Sequence, residues 1–256
     1  MKLSRLIRMS RPRFWIYELG PYIVGIAAAI GADLSIWTSL PIIVFFIYFM
    51  YPANIYIYGI NDIYDYETDK LNPKKVAYES LAMPTEHPLI WKHIIWVNAP
   101  WIIYALFILP LSNLTFLALF LAFAGWYSAP PIRAKARPIF DSLFSAGHYV
   151  ATAGFSYLLA HSLAGTTPSY LSLLIGSLGG LAWAIAMHAY SAVPDIKADG
   201  DAGLATIATF LGARNTILLC AALYTVATIV ASYYIGLIAI IGGFVYLWYM
   251  LLSLRK

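Results

Sequence analysis

The chain carries little charge for its length. Only 11% of its 256 residues are Asp, Glu, Lys or Arg, whereas 61% are hydrophobic and the mean hydropathy is +0.74. Because about a quarter of the residues in an ordinary soluble domain are charged, this composition excludes a typical water-soluble protein. No polar stretch is long enough to fold by itself. We therefore predict one integral membrane domain over residues 1–256.

Cysteine is nearly absent. The single Cys220 lies in an apolar segment and cannot form an internal disulfide, so we assign it a packing role. His148, His161 and His188 lack the spacing of a zinc site, and hydrogen bonding inside a helical bundle explains them better. Basic residues precede the first apolar segment, as in a signal peptide, but no small-residue cleavage site follows. We therefore expect a retained membrane helix at about residues 14–32.

Apolar runs of membrane-spanning length dominate the sequence. A helix needs about 20 apolar residues to cross a bilayer. The segments that meet this requirement are residues 14–32, 39–60, 93–110, 113–129, 139–160, 169–192, 213–232 and 235–253. The sequence therefore predicts an all-α polytopic membrane protein with eight transmembrane helices.

The basic residues are distributed unequally between the two sides of the membrane. When the chain is threaded through eight spans, the 16 Lys and Arg fall in the terminal segments or in the loops after the second, fourth and sixth spans, with Arg214 at the start of the seventh span beside the last of these loops. Since cytoplasmic loops carry an excess of Lys and Arg, both termini and these loops are predicted to be cytoplasmic. This topology explains the net charge of +4, which is therefore no sign of nucleic-acid binding.

Two acidic clusters follow the second and sixth spans. Residues three or four apart share one face of a helix, and like charges so close repel unless water or a cation neutralises them. Carboxylates suit Mg²⁺, which commonly shares its ligands with substrate phosphates. The alternative is a solvated acidic loop or, for the second cluster, a simple turn. The clusters consist of Asn61, Asp62, Asp65 and Asp69, and of Asp195 and Asp199.

The placement of the two clusters, four spans apart, predicts two related four-helix halves at about residues 1–130 and 131–256. If the acidic stripes face each other, they would hold two or more Mg²⁺ ions and a diphosphate. The metal would then stabilise charge on the leaving group while a carbon-oxygen bond breaks.

The loop after the fourth span adds groups that suit a diphosphate. Arg133 and Lys135 are placed to contact phosphate oxygens, and Tyr127 is placed to donate a hydrogen bond to the leaving group. Arg13 and Lys74 are weaker diphosphate ligands by the same reasoning. The alternative for these basic residues is that they are ordinary cytoplasmic anchors.

With these motifs assembled, the chain resembles the UbiA superfamily of intramembrane prenyltransferases over most of its length. The similarity rests on Ser10-Arg11-Pro12, the acidic motif at 61–69, the Tyr-Ser-x-Pro-Pro loop at 127–131, the acidic motif at 195–199, and Leu211-Gly212. It implies a helical bundle around a central cavity that opens to lipid. An isoprenyl diphosphate would bind there through Mg²⁺ and give an allylic cation, which alkylates a lipophilic acceptor within the membrane.

The resemblance also implies a role for each motif residue. It assigns Asp62, Asp65, Asp69, Asp195 and Asp199 as metal ligands. Substrate binding would fall to Asn61, Arg133 and Lys135, and catalysis to Asp62, Asp65, Asp195 and Tyr127; Arg13 and Lys74 stay the weaker diphosphate ligands named above from their charge.

Departures from the family pattern point to one branch. Family members typically have nine spans, whereas eight are counted here, and Ala192 occupies a position where many members have Asp. The segment at 68–75 and the Ala-Val-Pro-Asp form of the second motif are most similar to the lycopene elongase branch, which adds a five-carbon unit to a carotenoid. The alternative acceptors are a quinone-precursor aromatic ring and a glycerol-type lipid.

Two other classes of protein also use acidic residues at a membrane. A CDP-alcohol phosphotransferase carries paired aspartates, but its Asp-Gly-x-x-Ala-Arg motif is absent here. A cation transporter would need a pathway to the external face, where Asp33 is the only acid of the predicted loops. The sequence therefore favours a Mg²⁺-dependent prenyltransferase.

Overall fold

The computed structural model describes residues 2–70 and 81–255, and the regular elements in these two ranges are helices. The α-helices are α1 Leu3–Met9, α2 Ile16–Ile30, α3 Leu34–Trp37, α4 Leu40–Met50, α5 Pro52–Tyr64, α6 Tyr66–Asp69, α7 His87–Ile108, α8 Leu111–Ser128, α9 Phe140–Ala164, α10 Tyr170–Ala192, α11 Ile196–Asp201, α12 Ile207–Ile235 and α13 Leu237–Ser253. Short 3₁₀ turns lie at Pro12–Phe14, Pro84–Glu86, Ala134–Ala136 and Val193–Asp195.

Among the described residues, five helical segments are long and apolar enough to cross a membrane. They are Leu40–Tyr64, Pro84–Ile108, Leu111–Ser128, Tyr170–Asp201 and Ile207–Ile235. The shorter apolar helices α2 and α13, together with the 25-residue α9, complete a set of eight long segments in the described part of the chain. The predicted all-α polytopic membrane fold is therefore confirmed.

The helices extend beyond several of the predicted spans. The second segment continues to Tyr64 instead of ending near residue 60, and the third begins at His87 instead of residue 93. α12 begins at Ile207 and is kinked at Gly212, which has φ 75° and ψ 163°. The physical reason is that hydropathy marks the segment buried in lipid, whereas backbone hydrogen bonding continues into the polar surface region.

The polypeptide forms two compact units. The first contains Met1–Ile132 and Ala151–Pro168, and the second contains Arg133–Val150 and Ser169–Lys256. Helix α9 therefore contributes its first part to the second unit and the remainder to the first. The two related four-helix halves divided near residue 130 stay a prediction.

Aromatic side chains form the core of the first unit. Tyr48 packs edge-on against Phe49 at 5.0 Å between ring centroids, and Phe45 packs likewise against Phe155 at 4.8 Å. All four are completely buried. Because offset and edge-on ring pairs add directional stabilisation to apolar burial, these contacts define the packing of α4 against α9 within this unit.

Small residues lie at the helix contacts of the second unit. α10 packs against α12, and α12 against α13. At the first interface Gly179 lies so close to Val230 that an added Cβ would come within 2.6 Å of the valine side chain. Cys220 is buried there and its Sγ donates to Ala186 O at 3.3 Å, in agreement with a packing role. Small residues allow this close helix contact in a membrane, where helices gain little from excluding water.

Candidate functional site

The first acidic motif lies where α5 gives way to α6. Asp65 separates the two helices with φ −103° and ψ 4°. Its amide donates to Asn61 O at 2.9 Å, and Asp69 N donates to Asp65 O at 2.8 Å, so helical hydrogen bonding continues across the junction. Asp62 and Asp65 are only 4% and 2% exposed, whereas Glu67 faces solvent. The junction therefore directs two carboxylates of the motif into the protein.

Arg11 neutralises the first of these carboxylates. Its Nη2 donates to Asp62 Oδ1 at 2.9 Å, and its guanidinium lies 4.5 Å from the centre of the Tyr58 ring. The backbone of Arg11 has a left-handed φ of 51°. The sequence predicts a different role for Arg13, that of a diphosphate ligand; Arg13 is exposed and its guanidinium lies over Phe14 at 4.6 Å. The Ser-Arg-Pro motif was the signal that pointed to Arg11.

Asn61 links the first motif to the Tyr-Ser-x-Pro-Pro loop. Its Nδ2 donates to Oγ of Ser128 at 2.9 Å. Ser128 is the last residue of α8 and follows Tyr127, which is half-buried. The end of α8 therefore lies at the end of α5. Tyr127 is the chain neighbour of Ser128, which contacts Asn61 of the acidic motif.

The second motif lies at the start of α11. Asp195 ends a 3₁₀ turn and is exposed, while Asp199 is half-buried one helical turn later. Asp199 interacts electrostatically with Asp195 and with Lys135 of the same unit. Arg133 adopts a left-handed φ of 46° immediately before the turn that carries Lys135. The second unit therefore combines paired carboxylates with a lysine that attenuates their repulsion.

Asp141 is a buried acid that the sequence motifs do not predict. It lies in the first turn of α9, is 1% exposed, and its Oδ2 accepts a hydrogen bond from Ile207 N at 2.9 Å. His188 Nε2 lies 3.9 Å from the same oxygen. The first amides of a helix lack intrahelical acceptors, and Asp141 provides an acceptor for the first amide of α12. Its only sequence signal is an isolated acid at the start of an apolar span.

The chemistry of the donors fits a hard divalent cation. Asp62, Asp65 and Asp69 offer only oxygen ligands, which Mg²⁺ prefers. Within residues 2–70 and 81–255, no group of three or more His, Cys, Asp or Glu side chains forms a ready-made set of metal ligands. Lys74 lies outside the described residues, so its contact with diphosphate stays a prediction, as do the metal and substrate roles of the other motif residues.

Comparison with known proteins defines the class. Residues 19–255 match the UbiA prenyltransferase family. The chain is 39% identical over 230 residues to the lycopene elongase/hydratase of Halobacterium salinarum, covering 88% of this chain and 78% of that protein. It is 34% identical over 251 residues to the lycopene elongase/hydratase of Corynebacterium glutamicum, with 90% and 77% covered.

The fold is similar to that of a solved UbiA homolog from Archaeoglobus fulgidus bound to GPP and Mg²⁺. The TM-score is 0.75 at 21% identity, covering 98% of this chain and 86% of that chain. The same homolog bound to DMAPP and Mg²⁺ gives a TM-score of 0.74 at 22% identity, with the same coverage.

These findings define an intramembrane prenyltransferase, and the chain belongs to the UbiA prenyltransferase family. The resemblance noted in the sequence and the prediction of an enzyme are both confirmed. Family membership sets aside the CDP-alcohol phosphotransferase and cation-transporter alternatives.

Replacing Arg11 by Ala is expected to destabilise the protein in Mg²⁺-free buffer. The side chains of Arg11 and Asp62 are 15% and 5% exposed, and removal of one member of a buried ion pair costs about 3 kcal/mol. Added Mg²⁺ should recover part of this loss by neutralising Asp62. Thermal unfolding in detergent with and without Mg²⁺ measures both effects.

Arg13→Ala is the control, because it removes an exposed cation from the same segment. It should change the free energy of unfolding by less than about 0.5 kcal/mol. Equal stabilities of the two variants would contradict the importance of the Arg11 pair.

Proposed function

We propose that this enzyme transfers an isoprenyl group from an allylic diphosphate to a lipophilic acceptor and requires Mg²⁺. The observation that carries this function is the burial of Asp62 and Asp65 at the end of an apolar segment. Buried carboxylates in a membrane protein need compensating positive charge. A divalent cation supplies such positive charge and also binds a diphosphate, and the Archaeoglobus fulgidus homolog was solved with Mg²⁺ and either GPP or DMAPP.

Each motif residue has a distinct task in this function. We assign metal binding to Asp62, Asp65 and Asp69 of the first motif and to Asp195 and Asp199 of the second, where bound cations would supply positive charge to a departing diphosphate. Asn61, Arg13, Lys74, Arg133 and Lys135 bind and orient the phosphate oxygens. Tyr127 donates its phenolic proton in a hydrogen bond to the oxygen that leaves carbon.

Arg11 competes with metal for Asp62. Its guanidinium forms a hydrogen bond with Asp62 Oδ1 and is also held over the Tyr58 ring. While Asp62 is not a metal ligand, this cation lowers the electrostatic penalty of a carboxylate in a low-dielectric region. We infer that Arg11 keeps the first motif folded between turnovers and contacts the diphosphate when substrate is bound.

Asp65→Asn is expected to reduce Mg²⁺-dependent diphosphate release by at least about 100-fold, since it removes a charged oxygen ligand without changing side-chain size. Release from labelled DMAPP in protein-containing membranes measures the effect, and EDTA should suppress the wild-type reaction.

Glu67→Gln is the matched control for Asp65→Asn. Glu67 lies two residues further along, is exposed, and pairs with Lys70. Its variant should retain the wild-type rate. Diphosphate release by Asp65→Asn at the wild-type rate, or release that does not depend on Mg²⁺, would refute the proposed function.

We propose a polyene hydrocarbon such as lycopene as the acceptor. The similar proteins of Halobacterium salinarum and Corynebacterium glutamicum are named lycopene elongase/hydratase. A hydrocarbon acceptor has no polar group that the protein must bind. In agreement with this, the segment after the first motif, residues 71–91, contains no arginine that would bind such a group. An aromatic quinone precursor or a glycerol lipid would present polar groups that require recognition.

The acceptor is tested with labelled DMAPP and membranes that contain lycopene. Label should enter the polyene fraction, and mass spectrometry should show addition of five-carbon units. Membranes from a host without lycopene are the control and should give no labelled polyene. Label found only in an aromatic or glycerol-lipid fraction would assign a different acceptor.

We further propose that both termini and the loops that carry the acidic motifs face the cytoplasm. The distribution of Lys and Arg supports this orientation. A diphosphate substrate does not cross a sealed bilayer, so inverted vesicles should consume added DMAPP and sealed right-side-out vesicles should not. Consumption only by right-side-out vesicles would reverse the orientation.

A further inference from the structure

Glu18 is a buried acid outside both acidic motifs. It lies in the first turn of α2 and is 1% exposed. An ionisable side chain in an apolar membrane helix is rare and usually marks a functional site. None of the diphosphate or metal tasks described above requires this residue.

A hydrogen bond orients the Glu18 carboxylate. Oγ1 of Thr152, which is completely buried in α9, donates to Glu18 Oε2 at 2.7 Å. On the same face Gly25 of α2 lies so close to α9 that an added Cβ would collide with the carbonyl group of Ala153. The contact at Gly25 therefore holds the two helices together, and Thr152 determines the direction of one carboxylate oxygen.

Tyr48 places a second polar group near Glu18. The phenol is completely buried and interacts electrostatically with the Glu18 carboxylate. Among the described residues, Tyr48 Oη has no hydrogen-bond partner. A buried hydroxyl normally has a partner, and a small polar molecule such as water satisfies it when protein groups do not. Glu18 and Tyr48 therefore both place polar atoms inside the first unit, within electrostatic range of each other.

The proposed reaction creates a proton that needs an acceptor. When a polyene double bond attacks the allylic carbon, a carbon-carbon bond forms and a positive charge remains on a tertiary carbon of the polyene. Water discharges this cation by forming a carbon-oxygen bond and losing one proton. Alternatively, an adjacent carbon-hydrogen bond breaks, its electron pair forms a double bond, and the proton leaves.

We propose that Glu18, positioned by Thr152, is the base that accepts the proton lost by water when water discharges the cation. This role rests on the proposed function, because that reaction supplies the cation. The carboxylate becomes a carboxylic acid and returns the proton to solvent after turnover. The names of the similar proteins include a hydratase, and water addition is one of the two ways to discharge the cation.

Other buried or acidic groups fit the role less well. The motif aspartates are assigned to metal, and Asp141 uses Oδ2 to accept the amide of Ile207 at the start of α12. The strongest competitor is the departed diphosphate, which carries basic oxygens. The experiment must therefore separate proton removal from diphosphate departure.

The test measures diphosphate release and the ratio of hydrated to unsaturated product in one reaction with DMAPP, lycopene and Mg²⁺. Glu18→Gln keeps the side-chain size and an oxygen that accepts from Thr152, but it no longer takes a proton. Formation of hydrated product should fall about 100-fold, whereas diphosphate release should change by less than about threefold.

Thr152 variants test the positioning of the base. Thr152→Val should shift the product ratio in the same direction as Glu18→Gln, and Thr152→Ser should restore it because the hydroxyl is retained. Thr216→Val is the matched control, since Thr216 is also completely buried but its Oγ1 bonds to Gly212 O of its own helix at 2.8 Å. This control should leave the product ratio unchanged.

The outcomes distinguish this role from the proposed function. An unchanged product ratio in Glu18→Gln overturns the role of Glu18 and assigns the proton to diphosphate. Loss of diphosphate release as large as that of Asp65→Asn also overturns it, because Glu18 would then act on the earlier step. If Glu18→Gln does not fold, an unchanged ratio in Thr152→Val overturns it. Absence of diphosphate release by the wild-type protein refutes the proposed function itself, and the role of Glu18 with it.

Discussion

Neutralisation of buried carboxylates is the constraint on which the rest of this structure depends. Asp62 and Asp65 lie almost fully inside a protein that offers few charged groups, and burial removes most of the water that would otherwise screen them. Arg11 neutralises Asp62 through a direct hydrogen bond, and its guanidinium lies over the Tyr58 ring. These carboxylates place negative charge at the end of an apolar helical segment. In the proposed function, this negative charge binds a cation and the phosphate groups that accompany it.

The aromatic core serves both stability and chemistry. Its rings pack α4 against α9, and ring faces also tolerate positive charge. Glu18 and Tyr48 introduce polar atoms into this apolar core. In the proposed function, cation formation at the helix ends and proton removal within the core are separate tasks, performed by different carboxylates.

Much of the fold could be predicted because membrane insertion imposes simple rules. Apolar length identified the spans, and the long helices of the described chain correspond to them. The ends were less predictable, since α5 and α7 continue past their apolar runs. The spacing of Asp62, Asp65 and Asp69 indicated one helical face, but it did not reveal that a junction at Asp65 directs the first two side chains inward.

The sequence by itself determined what depends on local order: apolar length, the sidedness of basic residues, and the spacing of the acidic motifs. Tertiary structure decided which distant residues meet. Arg11 reaches Asp62 across 51 positions, and Thr152 reaches Glu18 across 134. The physical reason is that a periodic pattern specifies the face on which a side chain lies, whereas its partner depends on how helices pack, and packing is set by the shapes of many side chains at once.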